Sequence, residues 1–103
     1  GRYFVALVAG EVAGAISIDL AEQSCQIETL VSHRPGCGRV LVEFARAWAR
    51  EHGARKLWCW SMTRYRARGF YEAVGFSECF LVARQWYGED CWYFGMPLEP
   101  AGA

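Results

Sequence analysis

Apolar and polar residues alternate with a two-residue period through the first third of the chain, and that period predicts strands. Tyr3 to Ala9 and Val12 to Leu20 flank a tight turn at Gly10-Glu11, the pattern of a hairpin. After a polar break at Glu22-Gln23-Ser24, Cys25 to Ser32 alternates again, with Ile27, Thr29 and Val31 on one face and Glu28, Leu30 and Ser32 on the other. The period then changes. Leu41, Phe44, Ala45, Trp48 and Ala49 recur at helical spacing, and Gly53 supplies a C-terminal stop. Lys56 to Met62 is apolar on both faces, which predicts a central strand covered on both sides. Ala67, Phe70, Tyr71 and Val74 mark a shorter helix closed by Gly75. Glu78 to Trp86 and Cys91 to Met96 then read as two strands around Tyr87-Gly88-Glu89-Asp90, and Pro97 to Ala103 as a tail. The order βββ-α-β-α-ββ predicts one α/β domain over residues 1–103. Its mixed α+β sheet is mostly antiparallel, with one parallel βαβ crossover through the first helix.

That crossover begins with His33-Arg34-Pro35-Gly36-Cys37-Gly38-Arg39, a glycine-punctuated turn that delivers a helix. Unpaired amides and the positive end of the helix dipole suit an anion there, above all a phosphate. The open-sheet rule puts a ligand beside this turn, at the carboxyl end of the third strand.

Charge sharpens the expectation. The formal net charge is zero, yet the segment from His33 to Arg68 holds nine basic and two acidic side chains. A basic middle containing the glycine turn favours a ligand with several phosphates. Nucleic acid is not expected, because the total is neutral and no reading motif is present. The five cysteines, Cys25, Cys37, Cys59, Cys79 and Cys91, form no CxxC pair, so they read as reduced thiols without a metal site. Cys37, at a helix start beside His33, is the one thiol placed to be activated. No apolar run reaches the length of a membrane span and no signal peptide opens the chain, so a cytoplasmic protein is expected.

Two segments resemble the GNAT N-acetyltransferase superfamily. His33-Arg34-Pro35-Gly36-Cys37-Gly38 keeps both glycines of the acetyl-CoA signature, which has Gln or Arg, two residues, Gly, one residue, then Gly or Ala. Ala67-Arg68-Gly69-Phe70-Tyr71-Glu72-Ala73-Val74-Gly75-Phe76 is similar to the family's Ala-x-x-Phe-Tyr-x-x-x-Gly-Phe, and is the more specific match. The departures are His33 in the Gln or Arg position, Pro35 without an amide N–H, a short connection from Val31, and Arg64 where the family usually has Asn. The chain also opens at what corresponds to the family's second strand, without the first strand and the two helices that shape the acceptor site.

The resemblance implies that Cys25 to Ser32 and Lys56 to Met62 splay apart to admit a pantetheine arm. It implies acetyl-CoA as cofactor, bound by Leu30, Val31, His33, Arg34, Gly36, Cys37, Gly38, Arg39, Arg64 and Arg68. It also implies direct transfer of the acetyl group to an amine of a small molecule, protein or peptide. Such a transfer needs a base for the ammonium, a donor for the oxyanion and an acid for the departing thiolate. Tyr71 occupies the family's acid position, Glu28 is the candidate base, and a backbone N–H near Leu30 or Val31 would serve the oxyanion. A non-catalytic CoA-binding or interaction module of the same fold is the alternative. Tyr3, Phe4, Trp86, Trp92 and Tyr93 are candidates for covering an exposed edge or for a homodimer interface.

Overall fold

The computed structural model describes residues 1–102. Three antiparallel strands, β1 (Arg2–Val8), β2 (Glu11–Ala21) and β3 (Ser24–Ser32), lead into α1 (Cys37–Glu51) and return through β4 (Lys56–Met62). A 3-10 turn (Thr63–Tyr65) and the short α2 (Arg68–Ala73) precede the hairpin β5 (Glu78–Trp86) and β6 (Glu89–Pro97). The six strands form one sheet in the order β1-β2-β3-β4-β6-β5, so the expected mixed sheet is the observed one. No helix among the described residues is long and apolar enough to cross a membrane.

The single parallel pairing decides the architecture. β3 and β4 pair only at Ser24 with Lys56, Cys25 with Leu57 and Gln26 with Trp58. Beyond Gln26 the two strands part, and one edge of β3 loses its partner. Alternate backbone amides and carbonyls along that edge are thereby freed.

Both helices bury their apolar residues in one cluster. Leu41, Val42, Ala45 and Ala49 of α1 and Tyr71 of α2 join Ile16, Ile18, Cys25, Ile27, Leu57, Cys59, Phe94 and Met96 there. Both crossovers run in the same sense along the sheet, which sets both helices on one face. Strand alternation sends Trp58, Trp60 and Tyr93 to the opposite face, where they remain only half-buried. There Trp58 stacks on Tyr93 at 5.8 Å and meets Trp60 edge-on at 5.6 Å. The expectation that β4 is covered on both sides is therefore corrected. Aromatic residues on a face without a helix pack sideways on each other and give the same apolar pattern as burial.

Two other assignments shift. The buried face of α1 carries Val42 where Phe44 was expected; Phe44 is 49% exposed and packs edge-on against Phe4 at 4.8 Å. Small residues at Gly38, Ala45 and Ala49 let the helix approach the sheet closely, which pushes Phe44 to the rim. In β3, Ser17 opposes Thr29 and Ile18 opposes Ile27, so Glu28 is an extra residue, a β-bulge. Past the bulge the faces exchange. Leu30 packs toward the core while Thr29 and Val31 are exposed, against the unbroken alternation expected there.

The tail is partly tied down. The Leu98 amide donates to the Arg55 carbonyl at 2.9 Å, and Arg50 Nε donates to the Glu99 carbonyl at 3.0 Å.

Candidate active site

Where β3 and β4 part, a cavity of about 440 Å³ runs through the sheet. Cys59, Ser61 and Tyr71 line it from the helix side, Trp60 and Met62 from the bare side, and Glu28, Thr29 and Leu30 along the free edge of β3. A second cavity of about 580 Å³ lies between the start of α1 and α2, walled by Arg34, Pro35, Gly36, Gly38 and Arg39 on one side and Ala67, Phe70 and Val74 on the other. Leu30, Ser61, Tyr65 and Tyr71 line both cavities. The two are ends of one groove, and Tyr71 stands at the junction.

The glycine turn has the geometry of an anion cradle. His33 extends the β2–β3 ladder by donating its amide to the Ala13 carbonyl at 2.7 Å, and Ser32 Oγ donates to the Arg34 carbonyl at 2.8 Å. The chain then reverses at Gly36, whose φ of 86° lies in the left-handed region. The Cys37 amide is consumed by the Arg34 carbonyl at 3.2 Å. The amides of Gly36, Gly38 and Arg39 have no backbone carbonyl partner among the described residues, as expected for a helix start. The two glycines serve different ends. A Cβ on Gly36 would meet nothing, so only its φ requires glycine, whereas a Cβ on Gly38 would lie 3.2 Å from the Phe70 ring. Gly38 is where α1 touches α2.

Arg39 strengthens that joint. Its Nη2 donates to the Ala73 carbonyl at the end of α2 at 3.2 Å, and its Nη1 lies 3.5 Å from Glu43.

Tyr71 is 93% buried, since only 7% of its surface is exposed, and its ring stacks on Phe94 at 4.6 Å with Phe76 edge-on at 5.2 Å. Burial pushes its phenol well above its ordinary value, and the neighbouring Cys59 thiol adds to the shift. Burial likewise pushes the Cys59 thiol up to about 12, although the Tyr71 hydroxyl pulls the other way. The hydroxyl therefore stays protonated and available as a donor.

Of the expected site residues, Tyr71, Glu28, Leu30, Arg34, Gly36, Gly38 and Arg39 all line the groove. Val31, His33 and Cys37 do not; Val31 is 45% exposed, and Cys37 is half-buried. Arg64 and Arg68 also lie outside the lining. Arg64 pairs with Glu89 at 3.0 Å and Arg68 with Glu72 at 3.3 Å, while the Arg68 guanidinium covers Trp92 at 5.0 Å. A carboxylate on a neighbouring strand accounts for Arg64, and one a turn further along the same helix for Arg68. The terminal aromatics do not share one surface either: Phe4 packs under α1, Trp92 under Arg68, and Tyr93 on the bare face.

Trp86, expected at an exposed edge or an interface and not among the site residues, lines the first cavity. β5 is longer than its partner between matched positions. Val82 opposes Cys91 and Trp86 opposes Glu89, so residues 83–85 face Asp90 alone. Arg84 takes φ 55°, and its amide donates to Asp90 Oδ1 at 3.0 Å. That clasp bends the hairpin tip over the groove.

No curated protein sequence matches the chain. Residues 1–76 match the Acetyltransferase (GNAT) family. The chain belongs to the GNAT acetyltransferase family. Among solved structures, nourseothricin acetyltransferase is 30% identical with a TM-score of 0.84, over 95% of this chain and 65% of that one. The ribosomal-protein-S18-alanine N-acetyltransferase of Escherichia coli is 22% identical with a TM-score of 0.82, over 98% and 71%. A putative streptothricin acetyltransferase from Bacillus anthracis str. Ames, solved in complex with acetyl coenzyme A, is 20% identical with a TM-score of 0.82, over 94% and 62%. This GNAT chain thus spans about two thirds of the length of these relatives, and the GNAT fold is what the last two share with it.

Proposed function

We propose that the protein is an acetyl-CoA-dependent N-acetyltransferase acting on a primary amine. The observation that carries this reading is the continuity of the groove, from the amides of the glycine turn through Tyr71 to the slot between β3 and β4.

The residues present suit acetyl-CoA. The open amides of Gly36, Gly38 and Arg39 and the cation of Arg34 would hold the pyrophosphate. Ala67, Phe70 and Val74 offer an apolar wall for the pantetheine arm. Bound acetyl-CoA supplies an activated acyl carbon on a thioester.

This chain's own groups would do the rest. Glu28, carried into the slot on the bulge, accepts a proton from the acceptor ammonium directly or through water. A freed amide of β3 near Leu30 faces the carbonyl oxygen. The Tyr71 hydroxyl donates toward the departing sulfur. Its phenol is held above its ordinary value of 10, so it stabilises the thiolate chiefly by hydrogen bonding. His33, Cys37 and the Arg64 and Arg68 cations remain candidates for contacts with the distal phosphate, and acceptors range from small amines to peptide amines.

Calorimetric titration with acetyl-CoA, free CoA and ATP tests the reading. Saturable one-to-one binding that prefers the CoA compounds supports it. Absence of binding at millimolar acetyl-CoA refutes it and leaves a domain that works by association.

A further inference from the structure

The two ends of the groove differ in charge. The cofactor end has Arg34 and Arg39 in its wall and no carboxylate. The slot has one charged side chain in its wall, Glu28, together with the rings of Trp60, Tyr65 and Trp86. A carboxylate and electron-rich rings around a cavity of about 440 Å³ favour an organic cation of small-molecule size.

The chemistry makes this more specific. An amine attacks only after losing its proton, so the nitrogen that reacts beside Tyr71 carries no charge at that moment. Glu28 is committed to the nitrogen that reacts, which leaves the rings of the slot for a group that stays charged. Tyr65 is already covered by the Arg64 guanidinium at 5.2 Å, which leaves Trp60 and Trp86 for that task. Trp60 is held by edge contacts to Trp58 at 5.6 Å and to Tyr93 at 6.2 Å. Trp86 is held over the slot by the Arg84–Asp90 clasp.

We infer that the acceptor is an alkyl diamine or lysine-like dication, whose second ammonium rests on the indoles of Trp60 and Trp86 while its first reacts beside Tyr71. Trp86 and Trp60 are then specificity-determining residues. The inference rests on the proposed transfer for its meaning, but the binding it describes is measurable without cofactor.

The experiment is calorimetric titration of the full chain with cadaverine and with pentylamine, which share a five-carbon chain and differ by one ammonium group. Cadaverine should bind about tenfold more tightly or better. Trp86→Leu and Trp60→Leu should each weaken cadaverine by roughly 5- to 30-fold, the range of a cation–π contact, with little effect on pentylamine. Trp86→Phe should restore part of the loss. Trp86 is 50% exposed at a hairpin tip, so its replacement leaves the core intact. Equal affinities for the two amines, no cadaverine binding at millimolar concentration, or indifference to both tryptophan replacements would overturn the inference. Acetyl-CoA titrated into the same samples separates the two ideas: its failure removes the transferase, and the amine results stand independently.

Discussion

Replacing Tyr71 by Phe removes one oxygen at the junction of the groove. The aromatic packing should survive, because the ring keeps its stack on Phe94 and its edge contacts with Phe76 and Phe70. The polar neighbour lost is the Cys59 thiol, a weak partner. The stability cost should then be at most about 1 kcal/mol, a fall in Tm of no more than about 4–8 °C for a chain of this size. Tyr71→Ala provides the contrast. It empties an aromatic site in the core and should cost about 3–5 kcal/mol. Turnover should behave differently from stability in the Phe variant. If the hydroxyl assists sulfur departure, kcat should drop by roughly 10²–10⁴ with acetyl-CoA affinity unchanged. The assay is thiol release from acetyl-CoA in the presence of an amine, with calorimetry for affinity and thermal unfolding for stability. Wild-type kcat in a folded Tyr71→Phe protein would refute the role of the hydroxyl. A fall in Tm as large as that of Tyr71→Ala would refute the packing argument.

Gly36→Ala should lower stability by about 1–2 kcal/mol, because the new side chain has room but an unfavourable φ, and acetyl-CoA affinity should fall with it as the amides rotate away. Gly38→Glu should abolish acetyl-CoA binding by adding a negative charge and pressing on Phe70; unchanged affinity would remove the turn from the site. The Lys56 ammonium is raised by its hydrogen bond to Glu78, so the stability from that pair is present below the ordinary value of 10.5 and lost as pH rises through the raised one. Lys56→Met should therefore flatten the alkaline limb of a pH–stability curve, which urea titrations at several pH values would show. Burial raises Cys25 to about 11 and Cys59 to about 12, so native iodoacetamide labelling near neutral pH should spare both and reach only Cys37 and Cys79, as peptide mass mapping would report.

Much of the fold was legible in the chain itself. The hairpin repeat, the helical spacing after the glycine turn and the second motif with Tyr71 are local patterns, and they imply the mixed sheet with its parallel pair; that β6 rather than β5 lies beside β4 is not among the things they imply. What escaped notice depends on relations between strands. The bulge at Glu28 is invisible in an alternating segment, because Thr29 and Leu30 can exchange faces without breaking the pattern. Trp58 and Trp60 look like core residues because an aromatic cluster on an open face is as apolar as a buried strand. Arg64 and Arg68 looked like phosphate ligands because sequence shows charge; Glu89 becomes the partner of Arg64 only after folding, whereas Glu72, four residues after Arg68 on one helix, was a local pairing the spacing already offered. Trp86 was hidden for a similar reason, since a three-residue bulge fixed by Asp90 is a property of two strands together.

The slot between β3 and β4 has a kinetic consequence. Because residues of both faces of β4 line it, the proposed cofactor and acceptor would approach from opposite faces of the sheet without sharing a path. Steady-state rates measured with both concentrations varied should then give intersecting rather than parallel reciprocal plots. Either ligand should also bind first.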